Sequence, residues 1–107
     1  MSKTLIIAEH DGSNLNPSTA KCASCAVAIG QDFDILVMGS SVNAIAEQAA
    51  AIDGVAGVTV IDADNLTNPL AVNHAAEVVA LAESYSHILG PSTTYGRDLM
   101  PRIAALL

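Results

Sequence analysis

The sequence predicts an α/β fold, with a parallel sheet of about four strands and helices on both faces. Three observations predict it. Short apolar runs of strand length recur near residues 4, 34, 57 and 86, each closed by polar or glycine-containing residues. A helical stretch rich in Ala follows each run, so the repeating unit is about 23 to 30 residues, the size of a βαβ crossover. The apolar mass is aliphatic, with no Trp, one Phe and two Tyr. Ala, Val, Ile and Leu must then fill the core, as suits helices lying close on a Val/Ile-rich sheet.

Thr4-Leu5-Ile6-Ile7-Ala8-Glu9 is the first strand, apolar along its length like a strand covered on both faces. It breaks at His10-Asp11-Gly12-Ser13-Asn14, a polar turn. Asn16 then caps a helix with Pro17 at its first position, and Gly30 ends it near Ile29. Asp34-Ile35-Leu36-Val37-Met38-Gly39 is the second strand. Ser40-Ser41 turns the chain into a helix over residues 42 to about 52, stopped by Gly54. The third strand is Gly57-Val58-Thr59-Val60-Ile61, closed by Asp62-Ala63-Asp64-Asn65. Asn68-Pro69 repeats the cap-plus-proline signal before a helix over residues 70 to about 84, which carries Ala or Val on nearly every face and so is covered on more than one side. His87-Ile88-Leu89-Gly90 is a short fourth strand, and a last helix is expected over residues 97 to 107, with Pro101 in its first turn or so.

At 107 residues the chain makes one α/β domain. The formal net charge is −7, and the four basic residues, Lys3, Lys21, Arg97 and Arg102, form no patch. Nothing there would release counterions from a phosphate backbone, which argues against nucleic acid and against anionic membrane surfaces. No apolar run approaches the ~20 residues of a membrane span. Met1-Ser2-Lys3-Thr4 runs straight into a strand without a signal or transit pattern, which points to a bacterial cytoplasmic protein. Cys22 and Cys25 are spaced C-x-x-C, but inside a helical stretch where i and i+3 share a face. A redox or metal role competes there with two small buried side chains; a zinc site would need two further ligands, and no metal site is assigned.

Ligands of open parallel sheets bind beyond the carboxyl ends of the strands. Three loops qualify: residues 9 to 14, 39 to 41 and 90 to 97. The last is the richest. Gly90 and Gly96 permit close backbone approach, Ser92, Thr93 and Thr94 bring hydroxyls, and Arg97 lies at the start of the final helix, where free N–H groups favour an anion. The same residues are also ordinary capping chemistry, and neither a Walker lysine nor a dinucleotide glycine pattern accompanies them. Glu9-His10-Asp11 is an acid–base neighbourhood on paper, but no spacing pins a nucleophile to it, and a solvated loop reads as well. His74 falls in a helix and His87 opens a strand, so no catalytic residue is assigned.

Three stretches together resemble the α subunit of electron transfer flavoproteins, in its N-terminal domain. They are Leu5-Ile6-Ile7-Ala8-Glu9-His10, the Asn14-Leu15 to Pro17 turn, and Gly96-Arg97-Asp98-Leu99-Met100-Pro101-Arg102-Ile103-Ala104-Ala105, with Gly54-Val55 and Gly57-Val58 also fitting. The resemblance spans the chain. It implies an adenine-nucleotide-hydrolase-like fold, incomplete here because the family's domain continues with further strands. It also implies a heterodimer with the β subunit that passes electrons by FAD from acyl-CoA and other dehydrogenases to a quinone reductase, as in fatty acid β-oxidation. The family's FAD sits mainly in a separate C-terminal domain outside this sequence. These residues would then be scaffold and subunit interface of an electron carrier, not a catalyst, with no FAD bound by this chain alone. The alternative is a stand-alone nucleotide-binding module of the stress-protein type using Gly90 to Arg97. Because the sheet looks unfinished, Leu99, Ile103 and Leu106 are expected to be exposed, so that self-association or a partner is needed to cover them.

Overall fold

The computed structural model describes residues 3–11, 14–30, 32–40, 42–52, 54–62, 71–91 and 93–106. In chain order these form β1 (Lys3–Ile7), α1 (Ser18–Ile29), β2 (Asp32–Gly39), α2 (Asn43–Ala50), β3 (Val55–Asp62), α3 (Ala71–Leu81) with a 3₁₀ turn (Ala82–Ser84), β4 (His87–Leu89) and α4 (Thr94–Leu106). The four strands make one sheet in the order β3-β2-β1-β4, and every neighbouring pair is parallel. The expected α/β architecture is therefore present.

Strand alternation divides the core in two. Ile6, Ala8, Phe33, Ile35 and Val37 point to one face, where Cys22, Ala23 and Ala26 of α1 and Ile45 and Ala49 of α2 close over them. Leu5, Ile7, Leu36 and Met38 point to the other, beneath Ala75 and Val78 of α3 and Leu99 and Ile103 of α4. Small alanines on the helices let the backbones approach the branched side chains of the sheet. Phe33, the one large aromatic of the first layer, is buried against this aliphatic packing.

The caps read from sequence hold for α1. Asn16 Oδ1 accepts from the Ser18 N–H at 2.9 Å, and Gly30 takes the left-handed conformation (φ 83°) while its N–H returns to the carbonyls of Ala26 and Val27. Boundaries shift elsewhere. β2 and β3 each begin two residues earlier than expected, and α2 is shorter at both ends. The Asn68-Pro69 cap lies outside the described residues.

Two expectations about the last helix are corrected. It begins at Thr94 rather than at residue 97, so Pro101 stands at its eighth position and not in its first turn. Pro101 is exposed, so the helical bond lost to the Arg97 carbonyl is lost on the solvent side. Leu99 is 0% exposed and Ile103 2%, against 61% for Leu106. The strands needed to cover α4 are already present: β1 and β2 supply Leu5, Ile7, Leu36 and Met38, and α3 flanks the helix. Only Leu106, in the last turn, stays in solvent.

The amino-terminal end of the sheet is tied by Asp34. Its Oδ2 accepts from the Tyr85 hydroxyl at 2.7 Å and pairs with Lys3 Nζ at 3.0 Å. These contacts join β1, β2 and the segment leading into β4. Burial, helped by the hydrogen bond and charge of Asp34, pushes the Tyr85 phenol up to about 12; a hydrogen bond with Thr59 acts in the opposite direction.

Candidate functional site

The strand order reverses between β1 and β4, because β1 to β3 wind one way and β4 returns to the far side of β1. The crevice beyond the carboxyl ends of these two strands is where an open α/β sheet receives a ligand. It is flanked by the loops that follow β1 and β4, the first and third of the loops read from sequence.

Glu9 joins them. Its carbonyl accepts from the Asn16 N–H at 2.8 Å, and its Oε2 accepts from Asn16 Nδ2 at 3.2 Å. Its Oε1 accepts from the Thr93 hydroxyl across the crevice. Thr93 also caps α4: its Oγ1 accepts from the Gly96 N–H at 3.3 Å and its carbonyl from the Arg97 N–H at 2.9 Å. A carboxylate thus sits close to a helix N-terminus, where the macrodipole favours negative charge.

Tyr95, in the first turn of α4, stands over the same place. Its hydroxyl and Nδ1 of the buried His74 are 2.6 Å apart, and the two rings meet edge-to-face at 5.6 Å. Burial first, and then the nearby Glu9 charge, hold the Tyr95 phenol well above its ordinary range, so it stays a neutral hydroxyl.

The glycines of the loop meet their own chain. A Cβ on Gly96 would run into the Pro91 carbonyl, and one on Gly90 would lie 2.5 Å from Met100 Sδ. Both glycines therefore let the start of α4 pack against the end of β4. Arg97 is exposed on the helix surface. Ser92 lies outside the described residues, as does the Thr94 side chain.

Glu9, His10 and Asp11 do not converge. Nε2–H of His10 donates to the Met38 carbonyl at 2.7 Å, beside Gly39, where a Cβ would lie 3.1 Å from the imidazole. Asp11 Oδ1 accepts from the Asn14 N–H at 2.7 Å at the surface. The loop after β1 is also held from the other side, by the Leu15 N–H donating to Gln48 Oε1 of α2 at 2.8 Å.

Cys22 is buried and Cys25 exposed, so only one of the pair is the small core side chain expected. Burial, and secondarily Cys25, pushes the Cys22 thiol up, away from the reactive thiolate. Among the described residues no group of three or more His, Cys, Asp or Glu side chains could hold a metal ion.

Sequence reading picked the Gly90 to Arg97 loop but missed Glu9 as its partner. The signal available was a lone carboxylate closing an otherwise apolar strand. Thr93→Val, which keeps shape and removes the hydroxyl, should cost about 1–2 kcal/mol through the lost cap and a Glu9 carboxylate left short of a donor. Urea unfolding would measure it; an unchanged midpoint would mean that the Thr93–Glu9 contact carries no stability.

The comparisons with known proteins agree with this architecture. The family model described as the electron transfer flavoprotein domain matches residues 4–107. The chain belongs to the electron transfer flavoprotein family. It is 43% identical over 103 residues to the electron transfer flavoprotein subunit alpha of Pseudomonas aeruginosa, covering 96% of this chain and 33% of that protein. The subunit alpha of Paracoccus denitrificans is 43% identical over 104 residues, with 96% and 33% covered. A probable mitochondrial subunit alpha of Caenorhabditis elegans is 33% identical over 109 residues, with 100% and 33% covered. The chain spans about a third of the length of these curated relatives. Among the described residues no helix is long and apolar enough to cross a membrane.

Proposed function

We propose that this chain is the N-terminal segment of an electron transfer flavoprotein α subunit, an electron-carrier component and not a catalyst. Its role is scaffold and subunit interface, as a single domain in the bacterial cytoplasm. In the assembled protein it pairs with the β subunit, and the FAD held there carries electrons from acyl-CoA or other dehydrogenases to a quinone reductase. The observation that carries this reading is the family match over residues 4–107, with relatives named as subunit alpha aligned along nearly the whole chain.

The crevice geometry supports the scaffold role. Glu9 presents a carboxylate to the place where a nucleotide phosphate would approach, and Pro91 fills the space beside Gly96. A phosphate arriving there meets the like charge of the Glu9 carboxylate, which counts against the stand-alone nucleotide module. In this proposal the chain's own residues brace the two loops, and the flavin contacts lie outside them.

The test is assembly. Mixed with the β subunit of a bacterial electron transfer flavoprotein, the chain should form a one-to-one complex by light scattering, and it should purify colourless when alone. Stoichiometric FAD on the isolated chain, or no complex at micromolar concentration, would sink the proposal.

A further inference from the structure

The core uses only one cysteine of the C-x-x-C pair. Cys22 packs in the first core layer at 9% exposure, Cys25 is exposed, and both are free thiols. They are the fifth and eighth residues of α1 (Ser18–Ile29), so helix geometry sets their spacing. Residues three apart on a helix have Cα atoms about 5 Å apart and Cβ atoms about 5–6 Å apart. A disulfide needs Cβ atoms about 3.5–4.5 Å apart, so the pair closes on itself only if α1 distorts. A soft cation shared by two thiolates asks for more room. With bonds of about 2.3 Å each, as in zinc thiolates, the two sulfurs of a linear arrangement stand roughly 4.6 Å apart. Cβ atoms at the helical spacing permit that separation.

We propose that Cys22 and Cys25 form a two-thiolate site, within one chain, for a soft d10 cation of the copper(I) class. Thiolate sulfur selects soft ions, Cu(I) among them. Zinc, the other common thiolate ion, takes four ligands in a closed site. Among the described residues no third His, Cys, Asp or Glu side chain joins the pair, so the site suits an ion content with two. Lys21 lies one turn before Cys25, at i−4, and is exposed with it. Its ammonium is at hand to balance the single negative charge of a Cu(I) ion held by two thiolates.

The same pair stays inert until such an ion arrives. Burial, and then the charge of Cys25, oppose ionising Cys22 on its own. A shared cation removes both objections, because a coordinating thiol is deprotonated outright. Binding is an exchange of one Cu(I) for two thiol protons. Two S–H bonds break, two S–Cu bonds form, both protons leave to water, and no oxidation state changes. The site uses none of the crevice residues, so it stands whether or not the chain assembles with a β subunit.

Anaerobic titration of the reduced chain with Cu(I), in competition with the chromophoric chelator ferrozine, tests the proposal. One Cu(I) should bind per chain, and native mass spectrometry should show a single chain carrying one copper in place of two protons. Because two protons leave, affinity should rise about 100-fold per pH unit while both free thiols are protonated. Cys25→Ser and Cys22→Ala should each weaken binding by more than about 100-fold, beyond the roughly 10–100-fold that losing a merely supporting contact costs. If Cys22→Ala fails to fold, Cys25→Ser, at an exposed position, decides alone. Zn(II) should be held no more tightly by the unaltered chain than by Cys25→Ser. Cu(I) left entirely with the chelator overturns the proposal, as does undiminished binding by Cys25→Ser. One copper bridging two chains would refute the intrachain pair.

Discussion

Gly96→Ala should destabilise the chain by about 3 kcal/mol or more, the largest loss expected from adding a single methyl group here. Gly96 is buried in the first turn of α4. A Cβ there would overlap the Pro91 carbonyl oxygen, with the carbonyl carbon at 2.7 Å and the proline ring at 3.2 Å. In an exposed helix the same substitution gains about 1 kcal/mol of propensity, so the sign is set by the clash. Overpacking a core costs typically about 1–3 kcal/mol when side chains can turn away. Pro91 offers backbone instead, and it is itself buried where β4 ends. Moving it would pull Thr93 from Glu9 and loosen the cap of α4. Gly90→Ala is the control: its Cβ meets the Met100 thioether, a flexible side chain that can swing aside, so a loss of about 1 kcal/mol is expected. Chemical unfolding with unchanged m-values would read both. Equal losses would show that Pro91 is free to give way.

The same glycine explains what the sequence hid in the last helix. Ser92-Thr93-Thr94-Tyr95-Gly96 reads as a loop, because β-branched residues and glycine are poor helix formers. The fold places the helix start at Thr94 nonetheless, with Thr93 as its cap and Gly96 inside it for lack of room beside Pro91. Tertiary packing overrode propensity there. By contrast, β1, β2 and α1 were legible because their signals are local: an unbroken apolar run covered on both faces, and Asn16 and Gly30 as caps. β3 was read short because Val55 and Ala56 precede a glycine, yet the bulge at Ala56 lets the strand start before it.

The candidate site was half legible. Loop composition led to Thr93 and Gly96, and the rule for open α/β sheets led to the carboxyl ends of β1 and β4, where Thr93 meets Glu9. Glu9 lies 84 residues from Thr93, so no spacing connects them. Their meeting depends on β4 pairing with β1, which the order of elements along the chain leaves open. The His74–Tyr95 pair is hidden for the same reason, since it forms only when α3 and α4 share one face. The Asp34–Tyr85 bond likewise spans 51 residues across the opposite end of the sheet.

Leu99→Ala should cost about 3–4 kcal/mol and Leu106→Ala less than about 0.5 kcal/mol, although both are leucines on one helix. Leu99 is fully buried between the sheet residues Leu5, Ile7, Leu36 and Met38 and the α3 residues Ala75 and Val78. Truncating it removes the transfer free energy of its methyl groups and leaves a cavity that rigid strands cannot collapse into. Ile103, one turn on at i+4, continues the same stripe and should behave alike. Leu106 is 61% exposed, so its truncation takes little from the core. For a domain near 100 residues each kcal/mol lowers Tm by about 4–8 °C, and a loss this large approaches the whole stability of a domain with ~5–15 kcal/mol to lose. Comparable losses in the two variants would mean that α4 rests on the sheet by a different face, with Leu106 inside. The seating of Tyr95 beside Glu9 would then fall with it, since both residues turn with the helix.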